Sequence, residues 1–395
     1  MLDWLASYNG SALKLSDKPI IIIGGGPAGY TAALELRKRF TEQKIILIEK
    51  NKLGGTCLHV GCIPSKQLHS IEKLEDFPKL LAKNKMILEK GIESELKAAN
   101  VEIIFAEVTL PPELEYSHLV IATGSKPRTL KEFPQALTSD SFFSEENLAK
   151  GFSQKYCFVG GGYIGIELAS MLAYHGKSVR IIEVQDNILS FLDKDIHSKL
   201  LQALKSQKIK IETGVKDLTT IILEPGEEVF VSVGREPITP PATQPLSHSV
   251  TYIGDASQGI ALAHYAYAQA RQLAAKLAGE SYQIDKTKVP LVIFTHPEVA
   301  SIGLTEAQAR EQYGDVIQTR IVNWASNGKA RISGYDRGMT KWIIHDDRVV
   351  GCHLIGEHAT DLISIVVPII NMNPSITEMR RWIYPHPTLG EIFAF

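Results

Sequence analysis

Two cysteines in the segment GGTCLHVGCIPSK, which runs from Gly54 to Lys66, have a spacing that would suit redox chemistry. Cys57 and Cys62 stand five residues apart, after a glycine pair and before Pro64. Pro64 fits the first turn of a helix, whose N-terminus would lie near both sulfurs and stabilise thiolate. The spacing leaves three interpretations open: a metal site, a structural crosslink, and a pair that cycles between dithiol and disulfide.

The metal and crosslink interpretations are the weaker ones. A zinc site needs four ligands, and neither a CxxC motif nor a nearby histidine pair completes one. A crosslink between Cys57 and Cys62 would close a very short loop, so it would add little stability, and cytosolic reductants would oppose it. Gly55 would let the chain approach a ligand closely. Because two nucleotide-binding patterns flank the cysteines, we interpret them as a reactive pair.

A second candidate for chemistry lies near residue 390. His386 precedes a proline and is followed, five positions on, by Glu391. An imidazole can exchange a proton with a thiol near neutral pH, and a carboxylate can hold its tautomer and raise its basicity. His296 also precedes a proline, so the dipeptide by itself does not separate an acid–base histidine from an ordinary turn histidine.

The elements that must position these residues start with PIIIIGGGPAGYTAALELRKRF, which predicts a buried strand, a glycine turn and a helix. Gly24 permits the tight turn, Gly26 lets the backbone approach a pyrophosphate, and Gly29 lets helix pack on strand. The helix N-terminus then offers free N–H groups to the phosphates. Glu49 closes the next strand, 20 residues after the third glycine, where a carboxylate can accept from a ribose hydroxyl.

The same pattern returns with Gly160, Gly162 and Gly165, followed by Glu183 at the end of the next strand. Two such units predict one bound and one exchangeable dinucleotide. A 2′-phosphate would need cations near the strand end, and the residues directly after Glu183 carry none, so NAD(H) is favoured over NADP(H). Arg180 lies three residues earlier, and its reach into this site stays open at the sequence level.

The totals exclude several classes of function. The chain has 395 residues, which suggests two or three domains, and its 42 basic and 44 acidic residues give a net charge of −2. We therefore expect no nucleic-acid partner. No apolar run approaches the roughly 20 residues that cross a bilayer, so we expect no membrane association. The first residues lack a basic signal-peptide region and only four cysteines are present, which together predict a cytoplasmic protein.

Nine segments together carry a resemblance that is specific and spans nearly the whole chain. They are IIIGGGPAGYTAA, GGTCLHVGCIPSK, IATGS, VGGGYIGIELA, VSVGREP, YIGDAS, LAHYA, FTHPEVASIGLTE and HPTLGE, in that order. The chain resembles the pyridine nucleotide–disulfide oxidoreductases, the flavoprotein family of dihydrolipoamide dehydrogenase, glutathione reductase and mercuric reductase. The resemblance implies an α/β fold with two Rossmann-like dinucleotide-binding domains, one for FAD and one for NAD, and a C-terminal α+β dimerisation domain.

The resemblance also implies domain bounds and roles for the reactive residues. The FAD domain would comprise residues 1–145 with 246–288, the NAD domain 146–245, and the dimerisation domain 289–395. Cys62 would be the charge-transfer thiolate next to the flavin, and Cys57 the interchange thiol. His386, supported by Glu391, would come from the partner subunit, so the enzyme would be an obligate homodimer.

The same resemblance implies how the cofactors are held. Glu49 would bind the adenosine ribose of FAD, and Asp255 the ribityl chain. Lys66 would lie near flavin N5 and pair with Glu167, and Tyr163 would cover the flavin face. The implied cofactor-binding positions are Gly24, Gly26, Gly29, Glu49, Gly55, Thr56, Lys66, Thr123, Gly124, Gly160, Gly162, Tyr163, Gly165, Glu167, Glu183, Gly234, Asp255, Leu262 and Ala263.

Within the family, CLHVGCIPSK and NWASNGKAR resemble the lipoamide branch, and the last residues lack the cysteine pair of mercuric reductases. We therefore expect oxidation of dihydrolipoamide by NAD+ through FAD and a Cys57–Cys62 disulfide, without a metal ion. A 2-oxoacid dehydrogenase complex is the expected partner assembly. His59 and Gly390 depart from the family's usual asparagine and serine. The alternatives are an NADH-dependent reductase of another small disulfide and a non-enzymatic flavoprotein subunit of a larger complex.

Overall fold

The computed structural model of this chain describes residues 17–108, 115–240 and 249–395. By its contacts the chain divides into two compact units. The first comprises Met1–Arg128, Thr138–Gly151 and Gly234–Ile284, and the second comprises Thr129–Leu137, Phe152–Val233 and Asp285–Phe395. The short helix that the sequence indicates over residues 2–8 lies outside the described residues, and the three-domain bounds given above stay a prediction.

The first unit is built on a parallel sheet. Its strands are β1 (Ile20–Ile23), β2 (Ile45–Glu49), β3 (Glu102–Phe105), β4 (His118–Ile121) and β11 (Val250–Tyr252). The strand order is β11-β4-β1-β2-β3, with every neighbouring pair parallel. Strand β1 is a run of four isoleucines that are all buried, as expected for a central strand covered on both faces. A short antiparallel pair, β5 (Ser125–Pro127) and β10 (Arg235–Pro237), belongs to the same unit.

Helices surround this sheet. They are α1 (Pro27–Arg39), α2 (Gly55–His59), α3 (Cys62–Ser70), α4 (Phe77–Ala98), α5 (Ser139–Phe142), α6 (Glu145–Lys150) and α9 (Ala263–Leu277). Small buried residues such as Ala32 on α1 and Ala270 on α9 share one core with the strands, which lets the helix backbones come close together. Pro78 lies in the first turn of α4 and opens that helix, because its missing N–H costs nothing there.

The second unit contains two sheets. The parallel sheet has the strands β6 (Lys155–Val159), β7 (Ser178–Ile182), β8 (Lys210–Glu212) and β9 (Glu227–Val231), in the order β8-β7-β6-β9. The antiparallel sheet has the strands β12 (Leu291–Ile293), β13 (Glu298–Gly303), β14 (Gln318–Asn323), β15 (Met339–His345) and β16 (Arg348–Gly356), in the order β12-β13-β16-β15-β14.

The helices of the second unit are α7 (Tyr163–Tyr174), α8 (Lys194–Ser206), α10 (Glu306–Tyr313), α11 (Gly328–Ser333), α12 (Ala359–Met372) and α13 (Ile376–Met379). Helix α12 packs on the antiparallel sheet, and Val366 and Ile369 join the buried cluster around Trp324 and Trp342. Across the described part of the chain, no helix is both long enough and apolar enough to cross a membrane.

A buried charge cluster lies between the antiparallel sheet of this unit and the helices α8 and α10. Lys341 of β15 is almost fully buried, and its Nζ donates to Asp193 at 2.8 Å, Asp195 at 2.6 Å and Glu306 at 2.7 Å. Burial would lower the pKa of Lys341, but these three carboxylates raise it above its usual value. A buried ammonium needs such partners, because an unpaired charge in the interior is strongly destabilising. The cluster therefore ties the start of α8 to the antiparallel sheet.

Candidate active site

The first glycine turn joins β1 to α1 and has room for a ligand at one position only. Gly24 has φ +104°, and a Cβ there would lie 2.3 Å from the carbonyl oxygen of Ala122. A Cβ at Gly29 would lie 1.8 Å from the carbonyl oxygen of Gly24. At Gly26 the nearest atom to an added Cβ is the Cα of Gly55, 3.8 Å away. Close packing of the backbone therefore requires glycine at positions 24 and 29. The space beside Gly26 is open, which fits the close approach of a pyrophosphate.

Glu49 closes β2 beside this turn and is nearly buried. Its Oε2 accepts from the backbone N–H of Gly25 at 2.6 Å, and its Oε1 accepts from the N–H of Asn51 at 2.8 Å. Two backbone donors thus hold the carboxylate at the end of the strand. In that orientation its remaining lone pairs fit the ribose hydroxyls of a dinucleotide, as the sequence predicts.

The second glycine turn, between β6 and α7, repeats this geometry. Gly160 has φ +107°, and Glu183 accepts from the N–H of Gly161 at 2.6 Å and of Gln185 at 2.8 Å. A Cβ at Gly165 would lie 2.3 Å from Ser232 Oγ, whereas at Gly162 the nearest atom is 3.9 Å away. The two turns are therefore equivalent in the roles of their glycines and of their terminal acid.

The structure shows where the basic side chains near Glu183 lie. Arg180 donates to Glu227 of β9, with Nε 2.7 Å from Oε1, so this arginine is engaged across the sheet. Lys216, which follows β8, donates to the carbonyl oxygen of Val184 at 2.6 Å and so brings an ammonium beside the end of β7. The residues that directly follow Glu183 in the sequence give no sign of Lys216, because this lysine follows a different strand, β8.

The cysteine pair lies on two consecutive helices. Gly54 and Gly55 both have positive φ and lead into α2, whose third residue is Cys57, while Cys62 is the first residue of α3. Both cysteines are in the reduced, thiol form and are half-buried. A hydrogen bond with Cys62, together with burial, raises the pKa of the Cys57 thiol, and nearby Lys66 acts in the opposite direction. The predicted stabilisation of both thiolates by a helix N-terminus stays a prediction.

The position of Cys62 agrees with that expectation. The N-terminus of α3 carries the positive end of the helix dipole, which favours negative charge at its first residue. Cys57 is a hydrogen-bond partner of Cys62, and this hydrogen bond is the largest cause of the raised pKa of the Cys57 thiol.

The remaining predicted residues of the first unit cluster around β4, β5 and β11. Thr123 Oγ1 donates to the carbonyl oxygen of Ile238, and Gly124 has φ +73°. Asp255 follows β11 and accepts from Ser125 Oγ at 2.6 Å. The remaining positions are Thr56 on α2, Lys66 on α3, Leu262 directly before α9, Ala263 at its first residue, and Gly234 with φ +97° before β10.

Two residues that the sequence analysis missed support Asp255. Ser125 donates its hydroxyl proton to that carboxylate and accepts from Nε of Arg235 at 2.8 Å. Arg235 also donates to Ser139 and Asp140, each at 2.8 Å. The only sequence signals were the serine of IATGS and the arginine of VGREP, which mark these positions without showing that they meet.

In the second unit, Tyr163 is the first residue of α7, and Glu167 lies one turn further on and is buried. Glu167 Oε1 accepts from the backbone N–H of Phe294 at 2.9 Å. The predicted pairing of Lys66 with Glu167 involves residues of different units and stays a prediction. Among the residues that the structure describes, no three His, Cys, Asp or Glu side chains converge as metal ligands would.

His386 and Glu391 lie together on the surface of the second unit. Nδ1 of the imidazole is 2.9 Å from Glu391 Oε1, and the other carboxylate oxygen accepts from the N–H of Thr388 at 2.9 Å. The Thr388 N–H and then His386 lower the pKa of Glu391. The side chain of His386 is 76% exposed, which leaves Nε2 open to a reacting group. The geometry suits a histidine whose tautomer is held by a carboxylate.

Two dinucleotide turns, a paired dithiol and a carboxylate-supported histidine define the class of a nucleotide-dependent oxidoreductase that works on thiols. Comparison with known families agrees. Residues 18–251 match the pyridine nucleotide-disulphide oxidoreductase family, and residues 289–394 match its dimerisation domain. The chain belongs to this family, whose members use FAD and NAD(H), and the dimerisation domain supports a homodimer.

Characterised relatives cover almost the whole chain. A dihydrolipoyl dehydrogenase of Geobacillus stearothermophilus is 31% identical over an alignment 444 positions long, gaps included, which covers 94% of this chain and 94% of that protein. A dihydrolipoyl dehydrogenase of Bacillus subtilis is 31% identical over an alignment 460 positions long, gaps included, which covers 96% of this chain and 96% of that protein. The predicted family, fold class and cofactors are therefore confirmed.

A solved structure shows the same fold. The Cu(II) complex of the HOCl-induced flavoprotein disulfide reductase RclA from Escherichia coli superimposes with a TM-score of 0.83 at 24% identity. The superposition covers 95% of this chain and 98% of that one.

Proposed function

We propose that this flavoprotein oxidises dihydrolipoamide with NAD+, and that it can run in reverse as an NADH-dependent disulfide reductase. The observation that carries the proposal is the Cys57–Cys62 pair. A hydrogen bond joins the two cysteines, and Cys62 is the first residue of helix α3. The two relatives at 31% identity are both dihydrolipoyl dehydrogenases, which supports this substrate over other disulfides.

The proposed reaction starts from the oxidised pair. A thiolate of dihydrolipoamide attacks the sulfur of Cys57, the Cys57–Cys62 bond breaks, and Cys62 leaves as a thiolate. The second substrate thiol gives its proton to Nε2 of His386, and the resulting thiolate attacks the substrate sulfur of the mixed disulfide. Lipoamide departs and Cys57 leaves as a thiolate that takes a proton. Two electrons have then moved from the substrate to the cysteine pair.

We propose that the chain's own residues hold both cofactors. Gly26 leaves space for the pyrophosphate of FAD, Glu49 is aimed at its ribose, and Asp255 is held by Ser125 at the position proposed for the ribityl chain. Glu183 is proposed to bind the ribose of NAD(H). The chemistry that FAD supplies when bound is transfer of the electron pair between the dithiol and NAD+.

His386 acts as the base in this proposal, with Glu391 as its positioning residue. Because the pKa of Glu391 is lowered, the carboxylate is charged at neutral pH and holds the proton of the imidazole on Nδ1, which leaves Nε2 free to accept. We propose that this pair serves the dithiol of the partner subunit. We further propose a cytoplasmic location and association with a 2-oxoacid dehydrogenase complex.

The test is NADH formation from dihydrolipoamide and NAD+ by the FAD-loaded protein, beside a Cys57→Ser variant. Turnover that disappears in the variant, while NADH still reduces its flavin, supports the proposal. Reduction of the wild-type flavin by NADH without any dihydrolipoamide turnover would overturn the substrate assignment and direct attention to another small disulfide. Failure of both reactions would contradict the enzyme as proposed.

A further inference from the structure

A pair of phenols lies next to the dithiol and has no part in the mechanism above. Tyr30 is the fourth residue of α1, and Tyr267 is the fifth residue of α9. Their hydroxyl oxygens are 3.0 Å apart, and the ring centroids are 6.2 Å apart with the ring planes tilted by 56°. Both side chains are half-buried, so the pair forms a polar spot at the rim of the α1–α9 contact.

The local packing places this pair beside the cysteines. Helix α2, which carries Cys57, meets the glycine turn before α1 so closely that a Cβ on Gly55 would lie 2.8 Å from the Cα of Gly26. The N–H of Tyr30 donates to the carbonyl oxygen of that same Gly26 at 3.0 Å. Tyr30 therefore stands one helical turn above the point where the cysteine-bearing helix touches α1.

Electrostatics agree with this placement. Burial raises the pKa of both Tyr30 and Tyr267, and charge on Cys57 and on Cys62 raises each of them further. Because water and salt screen charges over distance, an effect of the cysteine charges on the two phenols indicates that the phenols lie close to the cysteines. Both phenols consequently stay protonated at the pH values where the thiols react, so the pair remains a neutral hydrogen-bonding group.

One of the two hydroxyl protons of the pair is not used in the hydrogen bond between them. Two hydroxyls carry two donors, and their mutual bond uses one of them. Within the described residues, neither hydroxyl has another hydrogen-bond partner. The mutual bond also holds the second hydroxyl in place, which reduces the entropy that a ligand must remove when it binds there.

We propose that the Tyr30–Tyr267 pair is a binding element for the disulfide substrate and that its spare hydroxyl proton is donated to a carbonyl oxygen on the substrate's arm. The class of substrate is a small disulfide or dithiol with an amide or carboxyl arm. This inference rests on the proposed function and adds to it the group through which the arm is recognised.

The test compares two substrates that share the reacting ring. Lipoamide carries an amide arm on a five-membered disulfide ring, and 1,2-dithiolane is that ring without the arm. The enzyme is the FAD-loaded chain with NADH as reductant, and the variants are Tyr30→Phe, Tyr267→Phe and the double variant. Tyr282→Phe, which changes an exposed phenol of the same unit, is the matched control. Flavin content and flavin reduction by NADH establish that each variant is folded.

We expect the double variant to raise KM for lipoamide about fivefold, the effect of losing one hydrogen bond, with kcat changed less than about twofold. KM for 1,2-dithiolane should stay the same. The two single substitutions should be non-additive, because each removes the same mutual bond. The control should behave as wild type toward both substrates.

Equal changes for the two substrates, or no change for lipoamide, would overturn the role of the phenol pair while leaving the proposed function in place. If the wild-type protein turns over neither disulfide although NADH reduces its flavin, the proposed function fails, and the inference about the phenol pair fails with it.

Discussion

The carboxylate of Glu391 lies 2.9 Å from Nδ1 of His386, and its second oxygen is held by the backbone N–H of Thr388. A carboxylate fixed in this way can select one tautomer of the imidazole, with the proton on Nδ1. The relationship is local, since both residues belong to one short turn. Its consequence for catalysis is testable in the intact enzyme.

His386→Gln should lower kcat for dihydrolipoamide oxidation by roughly 100-fold or more, because proton transfer to a positioned base contributes that much. Glu391→Gln should give a smaller loss of kcat, because a neutral amide holds the imidazole in place less firmly than a carboxylate does. His345→Gln changes a histidine of the same unit that stacks on Tyr313, and it should be neutral. Unaltered kcat in His386→Gln would remove this histidine from the mechanism.

Cys62→Ala should lower the pKa of the Cys57 thiol. The hydrogen bond with Cys62 is the largest cause of the raised value, and its loss leaves the opposing effect of Lys66 in place. The measurement is the rate of iodoacetamide alkylation of Cys57 against pH, in the reduced protein and in the variant. Cys352→Ala removes a fully buried thiol and is the control. A pH profile that is the same in Cys62→Ala would show that the two sulfurs are not coupled.

Gly29→Ala should abolish FAD binding or reduce it strongly, because a Cβ at this position would overlap the carbonyl oxygen of Gly24 and separate α1 from β1. Gly91 in α4 offers a matched control, since a Cβ there meets no atom within 4 Å. Gly91→Ala should keep the flavin and raise the free energy of unfolding by about 0.5–1 kcal/mol. Flavin absorbance after purification and chemical denaturation give both results. Full flavin content in Gly29→Ala would contradict the packing argument.

Lys341→Met should lower the free energy of unfolding by about 3–5 kcal/mol, because it leaves the buried carboxylate of Asp193 without its counter-charge. Burial alone would raise the pKa of Asp193, and the hydrogen bonds from Lys341 and from the N–H of Glu306 lower it. Lys150→Met removes an exposed ion pair with Glu146 and should change stability by less than about 0.5 kcal/mol. Similar denaturation midpoints for the two variants would rule out the proposed contribution of the buried cluster.

His118 in β4 should make stability depend on pH. It is buried next to Thr251, and burial lowers the pKa of its imidazole to about 4 from the usual 6.5. Between pH 6.5 and pH 4, His118 is protonated in the unfolded chain and neutral in the folded chain. The free energy of unfolding therefore falls as the pH drops through this range, by roughly 3 kcal/mol at most. Denaturation at several pH values in this window should show a shallower decline in His118→Gln. Parallel curves would exclude His118 as the cause.

Much of the fold was predictable because it is coded locally. Four consecutive isoleucines predict a central strand, and the glycines at 24 and 160 stand where positive φ is needed. Glu49 and Glu183 were predictable for the same reason, since each ends the strand that follows a glycine turn. The hydrogen bond between the two cysteines was not predictable, because it depends on how the turn between α2 and α3 brings them together.

The sequence by itself determined the two dinucleotide turns, the reactive cysteine pair and the His386–Glu391 spacing, because each depends on residues close together in the chain. Only the tertiary structure decided which distant residues meet. Lys341 and Asp193 are hydrogen-bonded although they lie 148 positions apart in the sequence, and Tyr30 and Tyr267 are hydrogen-bonded across 237 positions. Such contacts follow from how helices and sheets pack, and residue type alone does not specify which of many possible partners comes within hydrogen-bond distance.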